Sequence, residues 1–159
     1  MMNTSMRTFL LILIALLLFA YRSVNAQTEE ISKLNNALIR AAFDGDSVEA
    51  EALLKAGANV NGKNRSGHTA LMYAAMRSHT EVLQLLLDAG ADMSVGNMVG
   101  YTALFIAAWR GTTETVQLLL DAGADVNYRE PNGETALLMA ISQKHNEVEA
   151  ILRNAGAKE

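Results

Sequence analysis

The chain has 159 residues, half of them hydrophobic, with a single Pro and no Cys; this is the size of one ordinary domain with enough material for a continuous core. Without thiols there is no disulfide framework and no Cys-linked lipid anchor of the bacterial kind, so packing alone must hold the fold. Thirteen basic residues face 17 acidic ones, a net charge of −4, and that balance argues against nucleic acid or an anionic membrane as partner, since both need basic patches.

From the N-terminus, Phe9 to Tyr21 reads FLLILIALLLFAY, 13 almost wholly apolar residues. Arg7 stands ahead of this run and Val24-Asn25-Ala26 behind it, the layout of an export signal with a small-x-small cleavage site. A helix needs about 20 residues to cross hydrocarbon, so an uncleaved anchor is the second choice. Residues 1–26 are expected to be removed and the mature chain to begin at Gln27, outside the cytoplasm, in a bacterial periplasm or, as the alternative, secreted. The removed segment holds Arg7 and Arg22 and no acid, so 11 bases face 17 acids in the mature chain, a charge of −6.

Beyond it, Gly-x-Thr-Ala-Leu occurs at Gly67, Gly100 and Gly133, and Ala-Gly-Ala places Gly57, Gly90, Gly123 and Gly156, every step being 33 residues. A fixed period of this length marks a stack of supersecondary units. Four units fill the domain of residues 27–159, at roughly 31–63, 64–96, 97–129 and 130–159. In each, a Thr (Thr69, Thr102, Thr135) precedes an apolar run such as Ala70 to Ala75, where its hydroxyl can cap a short helix. A break follows at Ser78, Gly111 or Lys144. A second helix, for example Glu81 to Asp88, carries apolar residues at helical spacing and ends at a glycine such as Gly90. A hairpin-like loop leads to the next unit.

No unit can hide its apolar face alone, so the units must stack into an all-α solenoid with neighbour-only contacts, the pairs Ala74-Ala75 and Ala107-Ala108 allowing close approach. The ends should differ from the middle. Arg153 stands where inner units place Leu87 and Leu120, and Glu49 stands where the second unit places Val82, so both ends are expected to present polar side chains.

The segment Asn97 to Arg129, NMVGYTALFIAAWRGTTETVQLLLDAGADVNYR, resembles a complete ankyrin repeat, and the resemblance covers nearly all of the mature chain. It departs at the family's Thr-Pro-Leu-His signature, which reads Thr69-Ala70-Leu71-Met72, Thr102-Ala103-Leu104-Phe105 and Thr135-Ala136-Leu137-Leu138. Ala is acceptable in the first helical turn. Loss of the signature His removes bonds that tie loops to helices, so looser hairpins are expected.

The residues offer little for catalysis. His68, His79 and His145 fall in different places, and a zinc ion needs three or four ligands together, so they read as cap-side or solvated histidines. Asp44 with Asp46, and Asp88 with Asp92, sit at turns and helix ends where acids act as caps. Ser66, Ser78 and Ser142 have no base implied beside them. No cofactor, metal or enzymatic activity is expected.

The family resemblance implies that partners meet the loop tips and the exposed end of each first helix. Carried onto this sequence, that surface comprises Phe43 and Asp44; Lys63, Arg65, Ser66 and His68; Met76 and Arg77; Met98, Val99 and Tyr101; Trp109 and Arg110; Arg129, Asn132 and Glu134; and Ser142 and Gln143. The only Trp, Trp109, falls beside Arg110, and aromatic and Arg side chains are the usual anchors of an interface. The alternative is that Trp109 packs along its own helix and Met76 fills a gap between units. Five of the 11 mature bases, Lys63, Arg65, Arg77, Arg110 and Arg129, lie on this edge, whereas Glu81, Glu114, Glu147 and Glu149 lie on the second helices. The segregation suggests a monomer that binds an acidic protein surface, as an inhibitor or protector of an exported partner, or else as an adaptor.

Overall fold

A computed structural model describes residues 4–158, with side chains from residue 12 onward. By contact the chain falls into two units, Met1–Lys33 and Leu34–Glu159. Helix α1 (Thr4–Asp44) spans 41 residues and runs without a break through Ala26 and Gln27. In the first unit Ile12, Leu16, Leu17 and Phe19 are all exposed. Among the described residues no helix is long and apolar enough to cross a membrane.

In the second unit the last turns of α1 pair with α2 (Ser47–Lys55), and three further pairs follow: α3 (Ala70–Arg77) with α4 (Thr80–Asp88), α5 (Ala103–Arg110) with α6 (Thr113–Asp121), and α7 (Ala136–Ser142) with α8 (Asn146–Asn154). The four expected helix-turn-helix repeats are present, and the described residues contain no strand.

Local chemistry accounts for the boundaries. Thr69, Thr102 and Thr135 each hold extended backbone and accept a hydrogen bond from the N–H three residues on, that of Met72, Phe105 and Leu138. These Thr side chains therefore start α3, α5 and α7 by satisfying N–H groups that the helix itself cannot. Ser78 and Gly111 end α3 and α5 in the left-handed conformation, and Lys144 takes it just beyond α7.

The helices form two layers, with α3, α5 and α7 side by side in one and α2, α4, α6 and α8 in the other. Small residues set the spacing of the first layer: Ala41, Ala42, Ala74, Ala75, Ala107, Ala108 and Ala140 are all fully buried. Leu83, Leu86, Val116, Leu119 and Leu152 fill the space between layers with no exposure. At about 25 cal/mol per Å² such burial is the main stabilising term, and it comes from neighbouring repeats rather than from within one.

The C-terminal end changes as the sequence requires. Glu149 and Arg153 occupy the positions of Val116 and Leu120, and their side chains pair at 2.9 Å across one helical turn. The face that would otherwise demand another repeat is thereby charged. Glu49, at the first repeat, is exposed.

Candidate partner-binding edge

The hairpins between repeats are tied by side chains other than the signature His. Asn64 Oδ1 accepts from the N–H groups of Ser66 and His68, both at 3.0 Å. Asn97 Oδ1 does the same for Val99 at 3.1 Å and Tyr101 at 3.0 Å. In the last hairpin Glu130, only 2% exposed, takes their place, its carboxylate accepting from the N–H groups of Asn132 and Glu134. This is the local turn chemistry of a short acceptor side chain, so the hairpins that the sequence led us to expect loose are bound in another way. The recurrence of Asn, Asn and Glu at a 33-residue step, three before each repeat glycine, was the available signal.

All three histidines join adjacent repeats, two of them at helix corners. His79 Nε2 donates to the carbonyl of Phe43 at 3.0 Å, and His145 Nε2 donates to the carbonyl of Trp109, also at 3.0 Å. Each thus satisfies a carbonyl that the end of a helix leaves open. The rings lie over Gly45 and Gly111: a Cβ there would come within 2.7 Å of the His79 ring and 2.5 Å of the His145 ring. Thr112 occupies the corresponding corner of the third repeat and donates instead to Ala107 of its own repeat at 3.3 Å.

The third histidine, His68, sits in a hairpin. Its ring lies 5.4 Å from that of Tyr73, and its Nε2 accepts from Asn97 Nδ2 at 3.1 Å. Burial lowers its pKa below the ordinary value.

The residues expected to meet a partner therefore divide. Met76 and Tyr101 are half-buried and packed against the core, and the Tyr101 ring stacks on Phe105 at 4.3 Å. Arg129 donates to the Gly133 carbonyl at 2.9 Å and so stiffens its own hairpin; Lys63 donates to Gly96 in the next repeat at 3.1 Å. Arg65, Arg110 and Glu134 are exposed, Met98 is 78% exposed and Trp109 is 44% exposed. Arg77 places its guanidinium 4.5 Å from the centre of the Phe43 ring, a cation–π contact, and Phe43 meets Tyr73 edge-on at 5.7 Å. Phe43, Tyr73 and Arg77 thus form a continuous aromatic and cationic strip across the first two repeats. Tyr73 was the residue hidden in the sequence, since it stands in an apolar helical run; its hydroxyl accepts from Asn64 Nδ2 at 3.1 Å.

Comparison with known proteins decides the family of these stacked repeats. The family described as ankyrin repeats (3 copies) matches residues 10–97 and 90–158. The chain belongs to the ankyrin repeat family. No curated protein matches it closely enough to count as a relative. Ankyrin repeats are in general protein–protein interaction modules and typically not enzymes. Among the described residues of this ankyrin chain no three His, Asp or Glu side chains are grouped to hold a metal ion.

Proposed function

We propose that this ankyrin chain is a non-enzymatic binding protein that acts outside the cytoplasm, once residues 1–26 have been removed, by holding an acidic surface of another protein. The observation that carries the reading is Trp109, 44% exposed at the end of α5 and followed by the exposed Arg110. An indole that stays open to water beside a guanidinium is the pair of side chains that most often anchors an interface. Arg77 and Phe43 extend this edge toward the N-terminal repeats. With a mature charge of −6, the acids on the second helices would disfavour an acidic partner there, while Arg77 and Arg110 favour it along this strip, and so bias its orientation.

Such a protein sequesters, inhibits or protects its partner; an adaptor bridging several envelope components is the alternative. The test is affinity capture of the full chain in the compartment it enters, beside the variant Trp109→Ala/Arg110→Ala, with the captured complex sized. A single partner in equal ratio, lost with the variant, supports the inhibitor or protector, whereas several components captured together point to the adaptor. Capture unaffected by the variant refutes the edge. Sequencing the N-terminus of the native protein tests the removal of residues 1–26, with Gln27 the expected first residue.

A further inference from the structure

The three junctions between repeats are not held alike. At the first, His79 donates to Phe43 at the helix corner, and on the loop side Asn61 Oδ1 accepts from the Asp92 N–H at 2.8 Å. At the third, His145 donates to Trp109, and Asn127 Oδ1 accepts from the Lys158 N–H at 2.8 Å. The second junction lacks both ties. Thr112 turns back to its own repeat. Ser94, which replaces the Asn, gives its hydroxyl to Asp92 at 2.6 Å within its own loop, a bond that with the Ser94 N–H holds the Asp92 carboxyl below the usual carboxylate range. A cleft of about 250 Å³ lies at this place, lined by Met93, Ser94, Leu104, Ala124, Asp125 and Tyr128.

What joins the second and third repeats by polar bonds is the hairpin tip. The Met98 N–H donates to the Ser66 carbonyl at 3.3 Å, and Asn97 Nδ2 donates to His68 Nε2 at 3.1 Å. The second bond requires a neutral ring. Asn97 cannot turn its amide round to suit an imidazolium, because Asn97 Oδ1 already accepts from Val99 and Tyr101. A protonated Nε2 would therefore face an N–H group with a second donor. His79 and His145 differ in kind: each faces a carbonyl, which accepts from a neutral Nε2–H and from an imidazolium alike in direction, so protonation leaves the bond in place.

We propose that the junction between the second and third repeats is a hinge clasped at its hairpin tip by His68, and that protonation of His68 Nε2 opens the clasp. The groups shown against the ring are the Tyr73 phenol from α3 and the uncharged carboxamide of Asn97, while the Asn64 carboxamide, also uncharged, holds the His68 backbone N–H. No ion pair of the described residues includes it, so no carboxylate offsets the loss. A neutral ring that accepts at Nε2 carries its proton on Nδ1, which is buried without a hydrogen-bond partner, so the charged ring would find an acceptor at neither nitrogen. The hinge separates Met76 and Arg77 from Trp109 and Arg110, so opening it would change the spacing of the proposed docking edge; the clasp itself stands whether or not that edge holds a partner.

The test is amide hydrogen exchange on the full chain, resolved by residue, from pH 7.5 to pH 5.0, with each rate referred to its intrinsic value at that pH. Loss of one neutral hydrogen bond should lower protection at the Met98 and Tyr101 amides about fivefold in acid. The Asp92 and Lys158 amides, which report the other two junctions, should keep theirs. In His68→Gln a carboxamide oxygen accepts without titrating, and the acid effect should vanish. In Ser94→Asn a loop tie to Asp125 is restored, and the effect should shrink. A fivefold loss that persists in His68→Gln, an undiminished loss in Ser94→Asn, or an equal loss at all three junctions would each overturn the proposal.

Discussion

The contact between each corner histidine and the glycine beneath it gives a sharp test of how the repeats are registered. In Gly111→Ala an L-residue is placed at φ +71°, which costs about 1–2 kcal/mol, of which the reduced freedom of the unfolded chain returns about 0.4–1. The new Cβ would also stand 2.5 Å from the His145 ring. The ring must move, and its bond to the Trp109 carbonyl is lost at about 1 kcal/mol. The sum is a destabilisation of about 2 kcal/mol, or a fall in Tm of about 4–8 °C for a chain of this size. Gly133→Ala is the control, because Gly133 has φ +87° and nothing within 4 Å of its would-be Cβ; it should cost only the backbone part, about 1 kcal/mol. Urea unfolding followed by far-UV circular dichroism measures both. In a His145→Ala background the two glycine substitutions should become equal. If Gly111→Ala costs no more than Gly133→Ala in the unaltered chain, or keeps its excess without His145, the ring does not set the register.

Ser78 holds φ 59° with Thr112 rather than a His at the next corner, so Ser78→Gly should stabilise the chain by about 0.5–1 kcal/mol in the same urea assay. Asn97→Ala removes two N–H acceptances and the bond to His68 and should cost about 2 kcal/mol, with the loss read in the same way. Because burial lowers the His68 pKa, the unfolded chain takes up that proton first. Stability should therefore rise with pH below the ordinary His value near 6.5 and be lost on acidification; a pH series of unfolding free energies flattened by His68→Gln checks the sign. Trp109→Ala/Arg110→Ala should abolish partner capture and leave the helical signal intact, since both side chains are exposed; collapse of the helical signal would mean that Trp109 is packing material.

Much of the fold was legible because a repeat writes its own alignment. The 33-residue step of Gly-x-Thr-Ala-Leu fixed the phase, and with it the capping threonines and the buried alanines follow from local physics that needs no knowledge of neighbours. The polar ends at Arg153 and Glu49 were legible for the same reason, as departures from a pattern stated several times over. The candidate edge was legible only as a set of positions. Phase could locate Met76, Tyr101 and Trp109, but not how far each side chain sinks, because burial depends on what the adjacent repeat presents.

The sequence by itself determined the helix pairs, their number and their stacking, since helix caps and apolar periodicity act over a few residues. The tertiary structure alone decided which His serves as a tie and which as a clasp. His79 and His145 meet carbonyls 36 residues back, while His68 meets an amide 29 residues ahead. Those partners are set by how one repeat lies on the next, and a side chain's chemistry is completed by the group it faces.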